Sequence, residues 1–296
     1  MPALLTYLDD ERDAALRLAS ACELTALSVA RHRFPDDELK LLLDVPPGTH
    51  TLVVYRSLDR PNEKLVELLL LARHARRAGV QKLVLVAPYL GYMRQDIAFQ
   101  PGEIVSQTIV GGFLAELFDA VITVDPHLHR INRLDEAIPL PHAIALSAAG
   151  SLAELVAGQR DNPLLVGPDA ESRQWVESAA VVRGLEHAVC SKQRHGDREV
   201  VITLPDVAVT GRAVVLLDDV ASSGRTLAGA AQLLLQAGAS SVDVAVTHAL
   251  FAGDALSVMQ AAGVGTVWST DCIQHDSNAV FMAPLLAKAL RPLLDH

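Results

Sequence analysis

Short runs of Val, Leu and Ile constrain the fold of this chain more than any other feature. They occupy residues 52–55, 82–86, 120–124, 163–166, 214–217 and 242–246. None alternates apolar with polar residues, as a strand with one wet face does. Each reads as a strand buried on both faces, and a parallel sheet covered by helices buries strands in that way. The segments between them carry helical periodicity. One helix is expected to place Leu65, Leu68, Leu69, Ala72 and Ala75 on one face, with Asn62 as its cap. Arg73, Arg76 and Arg77 complement the dipole at its end, and Gly79 closes it. Another helix is expected to follow Thr226, to carry Leu233, Leu234 and Leu235, and to end at Gly238. The class is α/β with mainly parallel sheets.

With 296 residues the chain is long enough for two domains. A weak internal repeat supports that number. Ile122-Thr123-Val124-Asp125-Pro126-His127 and Leu165-Val166-Gly167-Pro168-Asp169-Ala170 are both apolar strands running into an acid beside a proline. Two related doubly wound domains, residues 1–145 and 146–296, are expected, with ligands beyond the carboxyl ends of their strands and the site between the halves. Lys plus Arg number 25 against 35 Asp plus Glu, a net charge of −10. That balance argues against a nucleic-acid partner, which needs surplus cations, but not against a small phosphorylated ligand met by a few local ones. Cys22, Cys190 and Cys272 share no metal-ligand spacing and read as reduced thiols. The residues from Met1 to Leu5 do not resemble a signal peptide, and no apolar stretch approaches a membrane span. A cytoplasmic protein without a membrane partner is expected.

The sharpest chemical feature is Val214-Val215-Leu216-Leu217-Asp218-Asp219-Val220-Ala221-Ser222-Ser223-Gly224-Arg225-Thr226. A buried strand delivers two acids, and a short loop then opens a helix. Backbone N–H groups at that helix start, with the hydroxyls of Ser222, Ser223 and Thr226, form a cradle for phosphate. Asp218 and Asp219 can accept hydrogen bonds from vicinal sugar hydroxyls. A phosphate beside a diol describes a ribose phosphate. A P-loop kinase is excluded, since no G-x-x-x-x-G-K-[ST] occurs. His127 and His129 have no third and fourth partners spaced for zinc.

This string resembles the ribose-phosphate loop of type I phosphoribosyltransferases, and the chain resembles the ribose-phosphate diphosphokinases, or phosphoribosyl diphosphate (PRPP) synthetases. Arg33-Phe34-Pro35-Asp36-Asp37-Glu38 resembles that family's F-x-D-x-E segment, and Pro88-Tyr89-Leu90-Gly91-Tyr92-Met93-Arg94-Gln95-Asp96 its P-Y-x-x-Y-x-R-Q-D. Asp125-Pro126-His127 resembles D-x-H, Pro168-Asp169-Ala170 P-D-x, Lys192-Gln193-Arg194 K-x-R, and Thr247-His248-Ala249-Leu250-Phe251 T-H-G-x-F. These segments keep the family's order along nearly the whole chain. The resemblance implies the type I phosphoribosyltransferase-like fold in both domains. It implies Mg²⁺-dependent transfer of the β,γ-diphosphoryl group of ATP to the C1 hydroxyl of ribose 5-phosphate, releasing AMP. Lys192 and Arg194 would close over the transferring group from a mobile loop. Phe34, Asp36, Asp37, Glu38, Arg94, Gln95, Asp96 and His127 would hold ATP, the first four from a neighbouring subunit of a homo-oligomer. Asp218, Asp219, Ser222, Ser223, Gly224, Arg225 and Thr226 would hold ribose 5-phosphate, and His127 and Asp169 the metal.

The chain departs from the family at several positions. Ile97, Ala98, Phe99 and Gln100 stand where many members are strongly basic, and Glu171 stands in a loop that often has glycines. Ser222 replaces a usual acid, a pattern closer to the archaeal-like branch, and Arg225 replaces a common glycine. Two other readings share much of this pattern: a nucleobase phosphoribosyltransferase, and a catalytically weak regulatory homologue of the synthetase.

Overall fold

Two separate sheets gather the apolar runs. The computed structural model describes residues 3–128, 130–195 and 199–294. It divides into one unit of Met1–Leu146 with Met282–His296 and a second of Ser147–Phe281.

The first unit contains β1 (Ala3–Leu8), α1 (Arg12–Ala21), β2 (Thr25–Arg33), β3 (Leu39–Leu42), β4 (Thr51–Tyr55), α2 (Pro61–Arg77), β5 (Lys82–Val86), α3 (Ser106–Leu117), β6 (Ala120–Val124) and β7 (Ala143–Leu146). Its sheet has the order β3-β2-β1-β4-β5-β6-β7. All neighbours pair in parallel except β2 with β3. The order reverses between β1 and β4, the point at which an open α/β sheet leaves a crevice.

The second unit contains α4 (Ala149–Gln159), β8 (Leu164–Gly167), α5 (Arg173–Arg183), β9 (His187–Val189), β10 (Ser191–His195), β11 (Glu199–Thr203), β12 (Ala213–Ala221), α6 (Arg225–Gln236), β13 (Ser241–Ala249), α7 (Ala255–Ala261), β14 (Val267–Thr270) and β15 (Asn278–Val280). Its parallel sheet has the order β15-β14-β13-β12-β8-β9, reversing between β8 and β12, while β10 and β11 form a separate antiparallel ribbon. The six apolar runs have become β4, β5, β6, β8, β12 and β13, each flanked by strands on both sides. Both sheets are doubly wound, as expected.

Two details correct the sequence reading. The helix expected to be capped by Asn62 begins at Pro61, with Arg60 in the left-handed region at φ 52° as its flanking residue. Proline suits the first helical position because its φ is preset and its missing N–H would be unsatisfied there anyway. Asn62 instead accepts a hydrogen bond from the Tyr92 hydroxyl. The chain's last helix, α8 (Ala283–Leu294), belongs to the first unit and not to a domain of residues 146–296. Its buried stripe of Ala283, Leu286, Ala287, Leu290 and Leu293 packs against α1, β6 and β7. Arg291 Nη2 also donates to the carbonyl of Ala21 at 2.6 Å. A stripe of this spacing requires an apolar partner without specifying which one.

The reversal point of the first sheet is filled by charge. Arg56, 1 % exposed, pairs with Glu67 at 2.6 Å, Asp10 at 2.8 Å and Glu11 at 3.3 Å. Lys64 meets Asp59 at 2.6 Å, Glu11 at 3.3 Å and the Ser57 carbonyl at 2.8 Å. Arg31 adds contacts to Glu67 and Asp10. Four carboxylates thus face three cations in this cluster. Glu11 Oε1 accepts from the Ser57 N–H at 2.9 Å, while its buried Oε2 has no hydrogen-bond partner among the described residues. Burial outweighs the attraction of Arg56 and Lys64 and pushes the Glu11 carboxyl up to about 7.

The sign of the pH effect follows. The unfolded chain releases this proton near 4.5 and the folded chain near 7, so the folded state binds more protons between those values. Its contribution to stability is complete at the acidic end and is lost as pH rises through the folded value. Urea midpoints of the wild type measured from about pH 5 to about pH 8 should contain a falling component worth up to about 3 kcal/mol. Glu11→Gln should remove that component, and identical profiles for the two proteins would contradict the assignment.

Candidate functional site

The polar residues of the second unit converge where β12 outruns its neighbour. Strand β8 pairs with β12 only as far as Val166 opposite Leu216, whereas β13 stays in register up to Ala249 opposite Ala221. Asp218 and Asp219 are therefore strand residues and not loop residues. Alternation puts Asp218 on the face packed by α6, and Asp219 on the face packed by α4 and α5. Asp219 is buried and its N–H donates to Asp218 Oδ1 at 3.0 Å. Where β8 stops, Asp169 accepts the Glu171 N–H at 3.1 Å, and its carbonyl accepts the Ser172 hydroxyl at 2.6 Å. Burial, then the charges of Asp219 and Asp169, push the Asp218 carboxyl well above the usual carboxylate range.

Beyond Ala221 the chain turns through Ser222, Ser223 and Gly224 into α6. The Ala252 N–H donates to the Ser222 carbonyl at 2.9 Å and the Phe251 N–H to the Ala221 carbonyl at 2.9 Å, fixing the turn. Gly224 sits at φ 69°, and a Cβ there would stand 2.9 Å from the Ala255 carbonyl oxygen. Gly224, the residue that flanks the start of α6, brings no capping side chain. The positive end of the α6 dipole lies beside exposed Ser223 and Arg225 and half-buried Ser222 and Thr226. Glu171 is exposed, and Arg173 is engaged with Glu177 at 3.5 Å.

In the first unit the corresponding edge is the loop between β5 and α3. The Leu58 N–H donates to the Tyr89 carbonyl at 2.7 Å, and the Tyr89 N–H to Ser57 Oγ at 3.1 Å. Gly91 is required, because a Cβ would lie 2.7 Å from the Leu58 carbonyl oxygen. Gln107, at the start of α3, clamps the loop by donating from its side chain to the Met93 carbonyl at 3.1 Å and from its N–H to the Gln95 carbonyl at 3.2 Å. Gln95 Nε2 donates to the Ile97 carbonyl at 3.0 Å, and Glu103 accepts the Phe99 N–H at 2.7 Å. Arg94 is exposed, whereas the Asp96 side chain is buried. His127, half-buried, follows β6. Tyr92 at φ 65°, Asp125 at φ 38° and Phe251 at φ 35° hold left-handed backbone beyond the carboxyl ends of β5, β6 and β13. Such strain collects where the surroundings fix a loop for a ligand.

Other expected residues are not gathered at either edge. Phe34, Asp36, Asp37 and Glu38 form the exposed turn between β2 and β3, closed by Phe34 N–H to the Glu38 carbonyl at 2.9 Å. Phe34 is 40 % exposed and meets His32 edge to face at 4.9 Å, while Arg33 pairs with Asp37 and with Glu63 of α2. Lys192 and Arg194, expected on a loop, lie on β10 opposite Ile202 and Val200 of β11; their side chains lie outside the described residues. His129 is outside them as well. Among the described residues no three His, Cys, Asp or Glu side chains are placed to hold a metal. None of the described helices is long and apolar enough to cross a membrane. Sequence reasoning missed Gln107, Glu103 and Ser57, whose side chains shape the first edge through contacts that a sequence pattern does not specify.

Two family models match parts of the chain. Residues 4–117 match the N-terminal domain of ribose phosphate pyrophosphokinase, and residues 140–261 match the phosphoribosyl transferase domain. A ribose-phosphate pyrophosphokinase of Methanopyrus kandleri is 33 % identical over 280 residues, 94 % of each chain. That of Methanosarcina acetivorans is 32 % identical over 94 % of this chain and 96 % of its own. The crystal structure of phosphoribosylpyrophosphate synthetase from Mycobacterium smegmatis superposes with a TM-score of 0.84 at 21 % identity, covering 100 % of this chain and 99 % of that one, so the two share a fold.

The Asp169 turn carries its own structural test. A Cβ on Gly167 would lie 2.3 Å from Ser172 Oγ, the atom that closes the turn. Gly167→Ala should cost about 2 kcal/mol in urea unfolding. Adding Ser172→Ala, which removes the obstructing oxygen, should recover part of that loss, and strict additivity would contradict the steric cause.

Proposed function

Because the chain belongs to the ribose phosphate pyrophosphokinase family, we propose that its second unit binds ribose 5-phosphate at residues 218–226 and its first unit binds ATP at Arg94-Gln95-Asp96. The chain is an enzyme of that family's type. It moves the β,γ-diphosphoryl group of ATP to the C1 hydroxyl of ribose 5-phosphate, giving 5-phosphoribosyl 1-diphosphate and AMP. The observation that carries the placement of the sugar phosphate is the start of α6, entered through Gly224 one short turn after two carboxylates near the end of β12.

In this reading the first-turn N–H groups of α6 and the hydroxyls of Ser222, Ser223 and Thr226 hold the 5-phosphate, with Gly224 allowing close approach and Arg225 adding charge. Asp218 and Asp219 accept hydrogen bonds from the sugar diol and so orient the C1 hydroxyl. Its oxygen attacks the β-phosphorus in line, loses its proton, and displaces AMP as the bond to the α,β-bridging oxygen breaks. No covalent enzyme intermediate is needed, so positioning and charge carry the catalysis. Lys192 and Arg194 supply charge to the transferring group, Arg94 meets the nucleotide, and Gln95 shapes the loop beneath it. The exposed turn of Phe34, Asp36, Asp37 and Glu38 completes the nucleotide site of a second copy, making the working unit at least a dimer.

The donor set suits Mg²⁺. Carboxylate crowding around Asp218 is what a divalent cation relieves, and Mg²⁺ needs only one or two side chains beside phosphate oxygens and water. Asp169 and His127 are the proposed ligands, and the ion's contribution is neutralisation of phosphate charge.

The test is AMP release from ATP with and without ribose 5-phosphate in the presence of Mg²⁺. Release should require the sugar phosphate; purified protein that releases none with all three present would overturn the reading. Asp218→Asn with Asp219→Asn should raise the ribose 5-phosphate KM about tenfold or more through lost charged hydrogen bonds. Lys192→Ala should lower kcat about 100-fold, the scale of losing one preorganised charge-stabilising group.

A further inference from the structure

A second arginine stands at the nucleotide edge of the first unit, outside every motif that the sequence singled out. Arg130 Nη1 donates to Asp96 Oδ1 at 2.6 Å, and its guanidinium carbon lies 5.6 Å from the centroid of the Phe99 ring. The Asp96 side chain is 2 % exposed and that of Arg130 is 47 % exposed. A buried carboxylate thus grips one part of the guanidinium and an aromatic ring lies beside it, while the rest remains open. Its other N–H groups make no hydrogen bond among the described residues, and Asp96 Oδ2 is buried without a hydrogen-bond partner there. An ion pair with one exposed partner contributes little to stability, and a buried carboxylate with an unbonded oxygen is costly. Stability alone does not account for this arrangement.

Charge accounts for it better. Ile97, Ala98, Phe99 and Gln100 contribute no cation next to Arg94-Gln95-Asp96, in a chain whose net charge is −10. Arg130 reaches this edge from the segment after β6 and adds a second guanidinium to that of Arg94. A guanidinium fork with open donors suits the oxygens of a polyphosphate.

We propose that Arg130 contacts the phosphates of the bound nucleotide, supplying the cation that residues 97–100 lack, with Asp96 as the positioning residue that aims it. This inference rests on reading the edge as the ATP site.

Calorimetric binding of ATP, adenosine and inorganic tripolyphosphate to the full chain tests it, together with steady-state kinetics. Arg130→Gln should weaken ATP and tripolyphosphate about tenfold or more, from the loss of a charged hydrogen bond, and leave adenosine unchanged. The KM for ATP should rise while that for ribose 5-phosphate stays constant. Arg130→Lys should retain part of the affinity, and Asp96→Asn should shift ATP binding in the same direction by less. Unchanged ATP and tripolyphosphate binding in Arg130→Gln would overturn the inference, as would equal losses for ATP and adenosine. Wild-type protein that releases no AMP would overturn the reading of the reaction instead, and the tripolyphosphate comparison would still decide the role of Arg130.

Discussion

The parallel pairing of β12 with β13 is the constraint on which the second unit depends. It continues to Ala221 after β8 has ended, so the strand carries two carboxylates past its own apolar stretch while still locked in register. Backbone pairing, and not a flexible loop, therefore sets where Asp218 and Asp219 stand. It also sets where the turn to α6 begins, because the bonds from Phe251 and Ala252 are made at the end of the same ladder. The rise in the Asp218 pKa follows from this placement: register brings its carboxylate close to Asp219 and Asp169 with too little water to screen them.

The first unit uses the same fold differently. Its reversal point, where an open sheet would otherwise offer a crevice, is closed by Arg56, Lys64, Arg31 and their carboxylates. Its polar edge moves instead to the loop after β5, held by Gln107 from one side and by the 57–58 segment from the other. A close approach at Gly91 and left-handed backbone at Tyr92 mark how tightly that loop is drawn in. Two doubly wound sheets thus present different chemistry: two carboxylates beside a helix start in one, and an arginine-bearing loop in the other.

The departures from the family pattern become physical once their contacts are visible. Glu171 gives its N–H to Asp169 while its side chain lies at the surface, and Arg173 pairs along its own helix with Glu177. Residues 97–100 carry no cation, but their loop is closed by Glu103, and its Phe99 lies beside Arg130.

By itself the sequence determined the α/β class, six of the inner strands, the strand-to-helix segment of residues 218–226 and the family. All of these are local: a run of apolar residues too uniform for a wet strand, or a motif of consecutive residues, needs no knowledge of distant partners. Strands β2 and β7 escaped because their residues are half exposed and lack that uniformity. Tertiary structure alone decided that α8 returns to the first unit, that Asp96 meets Arg130, and that Glu11 lies in a cluster with more acids than cations. Each depends on groups far apart in sequence brought within a few ångströms, where burial strips away water. Asp96 and Arg130 are 34 residues apart, and Arg291 and Ala21 are 270 apart. A charge's partner and its protonation are set by that desolvated neighbourhood, which exists only once the chain has folded.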